Sequence, residues 1–363
     1  MSFAPEPART HDQADITAIL LCNLGTPDAP TSSAVRRFLA EFLGDPRVVE
    51  IPRLLWWLIL HGVILRVRPK RSATRYASIW TPDGSPLIAW TDRLARSLAG
   101  NLGDRGHRVT VRMAMRYGAP AIPTVLDELK AAGATRVLVL PLYPQYAAST
   151  TASVTDAVLA WCGRTRVLPE LRFVNRFHDD PGYIAALASR IAAHWAAHGQ
   201  PDKLLMSFHG IPKRSLTLGD PYHCECLKTA RLVCEQLGIP ANDYLVTFQS
   251  RLGRAEWLQP YTEHTLVTLA QQGVRRVDVV CPGFTSDNLE TLEEIDQEAR
   301  AAFLGAGGAE FHYIPCLNDR PDWVRALTSI AEQHLLGWDT RGGPDAHELA
   351  RRRQRAVDGG ARA

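Results

Sequence analysis

The chain has 363 residues, 46% of them hydrophobic, and a formal net charge of +3. That length and apolar content suit two packed domains of ordinary size and exclude a chain that is mostly disordered. Residues 341–363 hold six arginines against Asp345, Glu348 and Asp358, so the charge excess sits at that end, the body is neutral, and a nucleic-acid footprint is not indicated.

The first fifteen residues, MSFAPEPARTHDQAD, lack the apolar stretch of a signal peptide and read as a disordered leader on a cytoplasmic protein. Seven cysteines, an odd number scattered through strand-like and helix-like segments, fit reduced thiols better than a disulfide framework. After a first strand, TAILLCNLG, comes the longest apolar stretch, IPRLLWWLILHGVILRVRP. Arg53, His61 and Arg66 interrupt it, which argues against a bilayer span. Leu54–Leu65 then reads either as a core helix or as a greasy lip that borders a flat apolar ligand or rests on a membrane surface.

Further strands are predicted at RVTVRMAMRYG, TRVLVLPLYP and LRFVNRF in the first half, and at KLLMSFHG, DYLVTFQS, RRVDVVCPGF and AEFHYIPCLN in the second. Such short Val, Leu and Ile runs, alternating with longer helical patterns, point to an α/β fold with parallel sheets covered by helices. The turn-rich NRFHDDPG separates a first domain, 16–178 with the lip at 51–67, from a second at 179–320. A helix from about Trp323 to Leu336 occupies a C-terminal piece, 321–338, and residues 339–363 read as a frayed tail.

The two halves resemble each other. ELKAAGATRVLVLPLYP and TLAQQGVRRVDVVCPGF superpose with one constant shift, which pairs Gly133 with Gly273, Arg136 with Arg276, and Val139 with Val279. This reads as two copies of one α/β unit, with chance likeness between buried strands as the alternative.

Ligands of open parallel sheets bind beyond the carboxyl ends of the strands, and in a duplicated fold two such rims can face each other across one cleft. His209 ends KLLMSFHG ahead of Gly210 and Pro212, so its ring belongs at a rim. It reads as a proton acceptor or metal ligand, or else as a histidine satisfied by backbone carbonyls. In CPGFTSDNLETLEEID, a helix starting near Asp287 would set Asp287, Glu290 and Glu294 on one face. Asp287 as N-cap with Glu290 three residues on would form a capping box, which leaves Glu294 unexplained. Imidazole and carboxylates at one rim suit iron or zinc.

Neither a glycine-rich phosphate loop nor a G-x-S-x-G elbow follows any of the strands, so nucleotides and serine hydrolysis are disfavoured. Cys224, Cys226 and Cys234 in DPYHCECLKTARLVCEQLG invite an iron-sulfur cluster. Helical spacing buries Cys226 and turns Cys224 to the opposite side, which argues against it.

Taken together, LLCNLGTPDAP, RSATRYASIWTPDGSPL, MRYGAP, LPLYPQYAASTTAS, SFHGIPKRSLTLGDPYHCECLKTARLV, FQSRLGRAEWLQPYT and CPGFTSDNLETLEEID resemble the ferrochelatase family, enzymes that insert ferrous iron into a porphyrin. The likeness runs in order from about residue 18 to residue 335. It implies two Rossmann-like domains, each a four-stranded parallel sheet flanked by helices, with the porphyrin in the cleft between them. The family's active-site histidine falls on His209 and its essential glutamate on Glu290, both also metal-binding positions. Asp287 and Glu294 match an acidic relay toward the ring centre, and Arg116 and Tyr117 match a pair thought to contact the porphyrin, with Tyr143 at the same rim. Leu24 stands where coproporphyrin-using members carry Tyr, which favours protoporphyrin IX, and Asn288 stands where many members have His. The resemblance makes ferrous iron a substrate rather than a cofactor. Two rivals stay open on this reading: a sirohydrochlorin-type chelatase, and a non-catalytic tetrapyrrole or metal carrier using the same cleft.

Overall fold

The computed structural model describes residues 3, 5–251, 253, 255–343 and 345–361. All eight predicted strands are present: β1 (Ile16–Gly25), β2 (Val109–Tyr117), β3 (Ala134–Pro141) and β4 (Glu170–Phe173) in the first half, then β5 (Lys203–His209), β6 (Tyr244–Gln249), β7 (Arg276–Val280) and β8 (Glu310–Ile314). They form two sheets of four strands, every pairing parallel, in the orders β2-β1-β3-β4 and β6-β5-β7-β8. The same order in both halves accompanies the sequence repeat, and the paired Gly133 and Gly273 share φ values of +97° and +92° ahead of β3 and β7. Only a residue without Cβ takes that turn at little cost.

Alternation along the central strands assigns each sheet two buried faces. From β1, Ile19 and Leu21 point one way and Ala18, Leu20 and Cys22 the other. From β5, Leu204, Met206 and Phe208 oppose Leu205. The inner faces of both sheets enter one continuous apolar core, completed by the helices Pro86–Asp104, Pro181–His198, Tyr222–Leu237 and Pro321–Leu335. Trp323, fully buried, sits near the centre of it, with ring centroids 5.7 Å from Phe177 and 5.8 Å from Tyr183. The C-terminal helix thus packs on the helices Pro181–His198 and Pro86–Asp104, and so joins the second half back to the first.

Residues expected to fray behave otherwise. Ala346–Asp358 is a helix whose N-cap Asp345 accepts from the backbone N–H of His347, and Arg352 donates to the carbonyls of His11 (2.5 Å) and Gln13 (2.6 Å). Two backbone carbonyls from the other end of the chain give this polar helix a partner that its own sequence does not reveal.

The lip is a helix, Arg53–Ile59, continued through a π-helical turn at Leu60–Ile64 into Leu65–Ile79. One side is core: Trp56, Leu60 and Leu65 are buried, and the Trp56 indole donates to the Leu43 carbonyl at 2.6 Å. The other side is bare, with Leu54 77% and Val67 72% exposed beside Leu55, Trp57, Leu58 and Val63. Among the described residues no helix is long and apolar enough to cross a membrane.

Because one core serves both sheets, chemical denaturation monitored by fluorescence and by circular dichroism is expected to give a single coincident transition. Trp323→Ala should lower stability by about 3–5 kcal/mol, the usual cost of emptying a buried aromatic site.

Candidate active site

The carboxyl ends of both sheets open into one cleft of about 1140 Å³, above the roughly 300–1000 Å³ of ordinary small-molecule sites. The first half contributes Leu24, Tyr143 and Trp56, and the second contributes His209, Phe284 and Glu290. Asn23, Gly25, Gln145, Gly210 and Ser250, at or just beyond strand ends, also line it. The Tyr143 hydroxyl is buried there and has no hydrogen-bond partner among the described residues.

His209 is the last residue of β5, and its Nδ1 lies 2.6 Å from the carbonyl oxygen of Gly210. A carbonyl only accepts, so Nδ1 carries a proton, and in the neutral ring the lone pair is on Nε2. Trp257 and Phe284 flank the imidazole, with ring centroids at 6.4 Å and 6.3 Å. Gly210 has to be glycine: a Cβ there would fall 2.8 Å from the Gln249 carbonyl oxygen.

The acidic segment is organised differently from the α-helix and capping box read from sequence. Glu290–Ala299 is π-helical, with i→i+5 hydrogen bonds, a form that recurs at functional sites. Its reciprocal cap is Asn288 with Thr291, not Asp287 with Glu290: Thr291 N–H donates to Asn288 Oδ1 at 3.1 Å, and Asn288 N–H donates to Thr291 Oγ1 at 3.0 Å. Asp287, only 5% exposed, turns away from the cleft. Its carboxylate accepts from the Tyr313 hydroxyl at 2.5 Å, the Cys316 N–H at 3.0 Å and Asn318 Nδ2 at 2.7 Å. Asp287, expected in an acidic relay, ties the segment to β8 and the loop after it and is not among the residues that line the cleft.

Glu290, Glu293, Glu294 and Glu298 do line it. Gln249 Nε2 donates to the Glu290 carbonyl at 2.8 Å and its Oε1 accepts from Ser207 at 2.7 Å, so the first turn of the π-helix is pinned to the ends of β5 and β6. Burial raises the Glu290 carboxyl above its ordinary range, while the nearby His209 and the Arg68 charge pull it down. Burial also pushes Glu293 up to about 7, against the pull of Arg75 at 3.2 Å. Glu294 accepts from the backbone N–H of Ser250 at 2.7 Å and from the Ser250 hydroxyl. Ser250 holds φ at +67°, a strained setting for a residue with a Cβ.

Arg116 and Tyr117 have their partners elsewhere in the structure. Neither lines the cleft. Arg116 donates to Asp45 at 2.6 Å and to Ser153 Oγ at 2.7 Å, and the fully buried Tyr117 hydroxyl donates to the same Asp45 oxygen at 2.8 Å. Burial alone would raise Asp45, yet hydrogen bonds from Ser153, the Arg47 backbone and Tyr117, together with the Arg116 charge, hold it below the usual carboxylate range. The pair braces the first half. The basic side chains that do face the cleft include Arg68, Arg75 and Arg214, which sequence reasoning did not single out. Arg68 and Arg75 follow the lip on its own helix, more than two hundred residues from the glutamates they approach, and no local pattern marks them.

Cys224 is exposed, whereas Cys226 and Cys234, on the same helix, are buried and their thiols raised by burial. Among the described residues, no group of three close metal-ligating side chains includes a cysteine.

Residues 16–335 match the family model described as Ferrochelatase. A protein named Ferrochelatase from Methylibium petroleiphilum is 65% identical over 363 residues, covering 100% of both chains. Another of that name from Polaromonas sp. is 63% identical over 365 residues, 99% of this chain and 100% of its own. Among solved structures, a multi-domain protein of Deinococcus radiodurans described as similar to chelatases superposes with a TM-score of 0.51 at 14% identity, covering 95% of this chain and 60% of that one, which shows a shared fold. With a matched pattern spanning both sheets and such identities end to end, the chain belongs to the ferrochelatase family, whose members are porphyrin-metalating lyases.

Proposed function

We propose that the cleft inserts ferrous iron into protoporphyrin IX to form protohaem, the last step of haem biosynthesis, with His209 accepting the pyrrole protons. The observation that carries this reading is the His209 tautomer: Nδ1 is committed to the Gly210 carbonyl, so Nε2 offers its lone pair to the cleft in which Glu290 also stands. Metalation releases two pyrrole protons and strips water from the metal ion, so it needs a neutral base and an anionic ligand on hand. The imidazole of His209 in its neutral form is the first. Glu290 is the second, and its raised pKa lets it exchange a proton at a pH where an ordinary carboxylate stays ionised.

Glu294, fixed by Ser250, and Glu293, faced by Arg75, continue the row toward the exposed Glu298 at the mouth and give protons or the cation a graded path. Asp287 holds the row in place from behind. Apolar Leu24 in the cleft wall suits a ring bearing fewer carboxylates, hence protoporphyrin rather than coproporphyrin. Propionate placement passes from Arg116 to cleft-lining cations such as Arg214, which pairs with Glu50 of the opposite half at 3.2 Å.

The bare side of the Leu54–Leu65 lip rests on a membrane surface and admits a poorly soluble ring. Exposed Leu54, Leu55, Trp57, Leu58 and Val63 supply apolar area, and exposed Arg66, Lys70 and Arg71 on the continuing helix supply charge for anionic headgroups.

In an anaerobic assay with ferrous iron and protoporphyrin IX, His209→Ala should abolish haem formation while porphyrin binding persists. A protein that binds porphyrin without making haem before any substitution would be a carrier and would sink the proposal. Glu290→Gln should reduce kcat by more than about tenfold, or 1.4 kcal/mol of barrier, and Glu294→Gln by less. The acid limb of kcat/KM should lie above the ordinary carboxylate range, since activity is lost as pH falls through the raised Glu290 pKa; Glu290→Gln should erase that limb from the pH profile. Replacing Leu54 and Trp57 with Asp should cut co-sedimentation with anionic vesicles without changing turnover on detergent-solubilised porphyrin.

A further inference from the structure

Three histidines that the cleft does not use gather on the second sheet. In AAHWAAHG, His194 and His198 stand four residues apart at the end of the helix Pro181–His198, so their rings share one face and stack at 4.3 Å between centroids. His312 is the middle residue of the edge strand β8, in register with Asp278 of β7. Each offers one ring nitrogen, and the three nitrogens lie within 4.8 Å of one another; no other trio of His, Cys, Asp or Glu does so among the described residues.

The ring nitrogens are set up as ligands. His194 Nε2 is 3.1 Å from His312 Nδ1, close to the roughly 3.4 Å expected between two nitrogens on one tetrahedral zinc with bonds of about 2.0–2.1 Å. His198 Nδ1–H donates to the His194 carbonyl at 3.0 Å, which leaves Nε2 of that ring with its lone pair. Carboxylates stand close by: Asp278 Oδ2 is 3.6 Å from His194 Nε2, on the side that faces His312, and Glu310 Oε2 is 3.9 Å from His312 Nε2, behind that ring. Arg276 is the one nearby guanidinium in this network and binds Asp278 at 3.1 Å, so two carboxylates face one cation. His198 is exposed, which leaves a side open for a water ligand, and the helix C-terminus favours positive charge.

We propose that His194, His198 and His312 form a site for a divalent transition metal of the zinc class, separate from the reaction cleft, that clamps the end of the helix Pro181–His198 to the edge strand β8. None of the three lines the cleft, and the end of that helix leads into the start of β5, whereas His209 ends it.

Because the cleft itself is expected to take metal, the test uses the full chain carrying His209→Ala and Glu290→Gln. Equilibrium dialysis against Zn2+ should still find one bound equivalent, and Co2+ in its place should show the absorption of a tetrahedral site. Adding His198→Ala, at an exposed position that leaves the fold intact, or His312→Gln should weaken Zn2+ binding by more than about 100-fold, beyond the 10–100-fold typical of losing an outer partner. Zn2+ should raise Tm only while all three histidines are present, and His198→Ala in the otherwise unaltered chain should keep its iron-insertion rate. No bound equivalent in the cleft-disabled protein, or zinc uptake that ignores both histidine substitutions, overturns the proposal.

Discussion

The apolar core shared by the two sheets is the constraint on which everything else rests. Strands β1 and β5 each carry hydrophobic residues on both faces, and neither sheet can cover its inner face alone. The helices between them, and above all the C-terminal helix that places Trp323 against Phe177 and Tyr183, close that volume as one body. Burial of each large side chain contributes roughly 1.5–3 kcal/mol, so the mutual orientation of the sheets is fixed by many such terms at once. Only because it is fixed do the two carboxyl rims meet, and only there do Leu24 and Tyr143 of one half stand opposite His209 and Glu290 of the other.

Around the cleft the protein holds like charges together by giving each its own counterweight. Asp287 is spent on three donors behind the cleft, Glu294 on the backbone and hydroxyl of a strained Ser250, and Glu293 on Arg75. For Glu290 burial outweighs the opposing pull of His209 and Arg68, which is why its proton is held more tightly than a carboxylate's usually is. The wide turns of the π-helix and the Asn288–Thr291 cap set this sorting, because they send Asp287 backwards and the glutamates forwards.

The eight strands, the rim position of His209 and the acidity of the segment after β7 were legible from local pattern, since buried parallel strands read as apolar runs and a residue that ends such a run must sit at the rim. Three readings were not. The spacing of Asp287 and Glu290 allows a capping box as the alternative to a functional role, whereas in the structure Tyr313, Cys316 and Asn318 take Asp287 from β8 and the loop that follows it. Arg116 and Tyr117 looked available at a strand end, but Asp45 and Ser153 claim both side chains. The arginine-rich tail reads as frayed from its own composition, whereas in the structure Ala346–Asp358 is helical and Arg352 donates to two carbonyls near the start of the chain.

The sequence by itself determined the α/β class, the doubled four-stranded plan and the family, because strand periodicity and ordered motifs are local properties of the chain. Tertiary structure alone decided which polar side chains face the cleft and which are consumed elsewhere. A carboxylate or guanidinium has no intrinsic destination: its role is set by the nearest unsatisfied donor or acceptor, and in this protein those partners arrive from segments far away in the chain, as Asp45 does for Arg116 and Arg75 for Glu293.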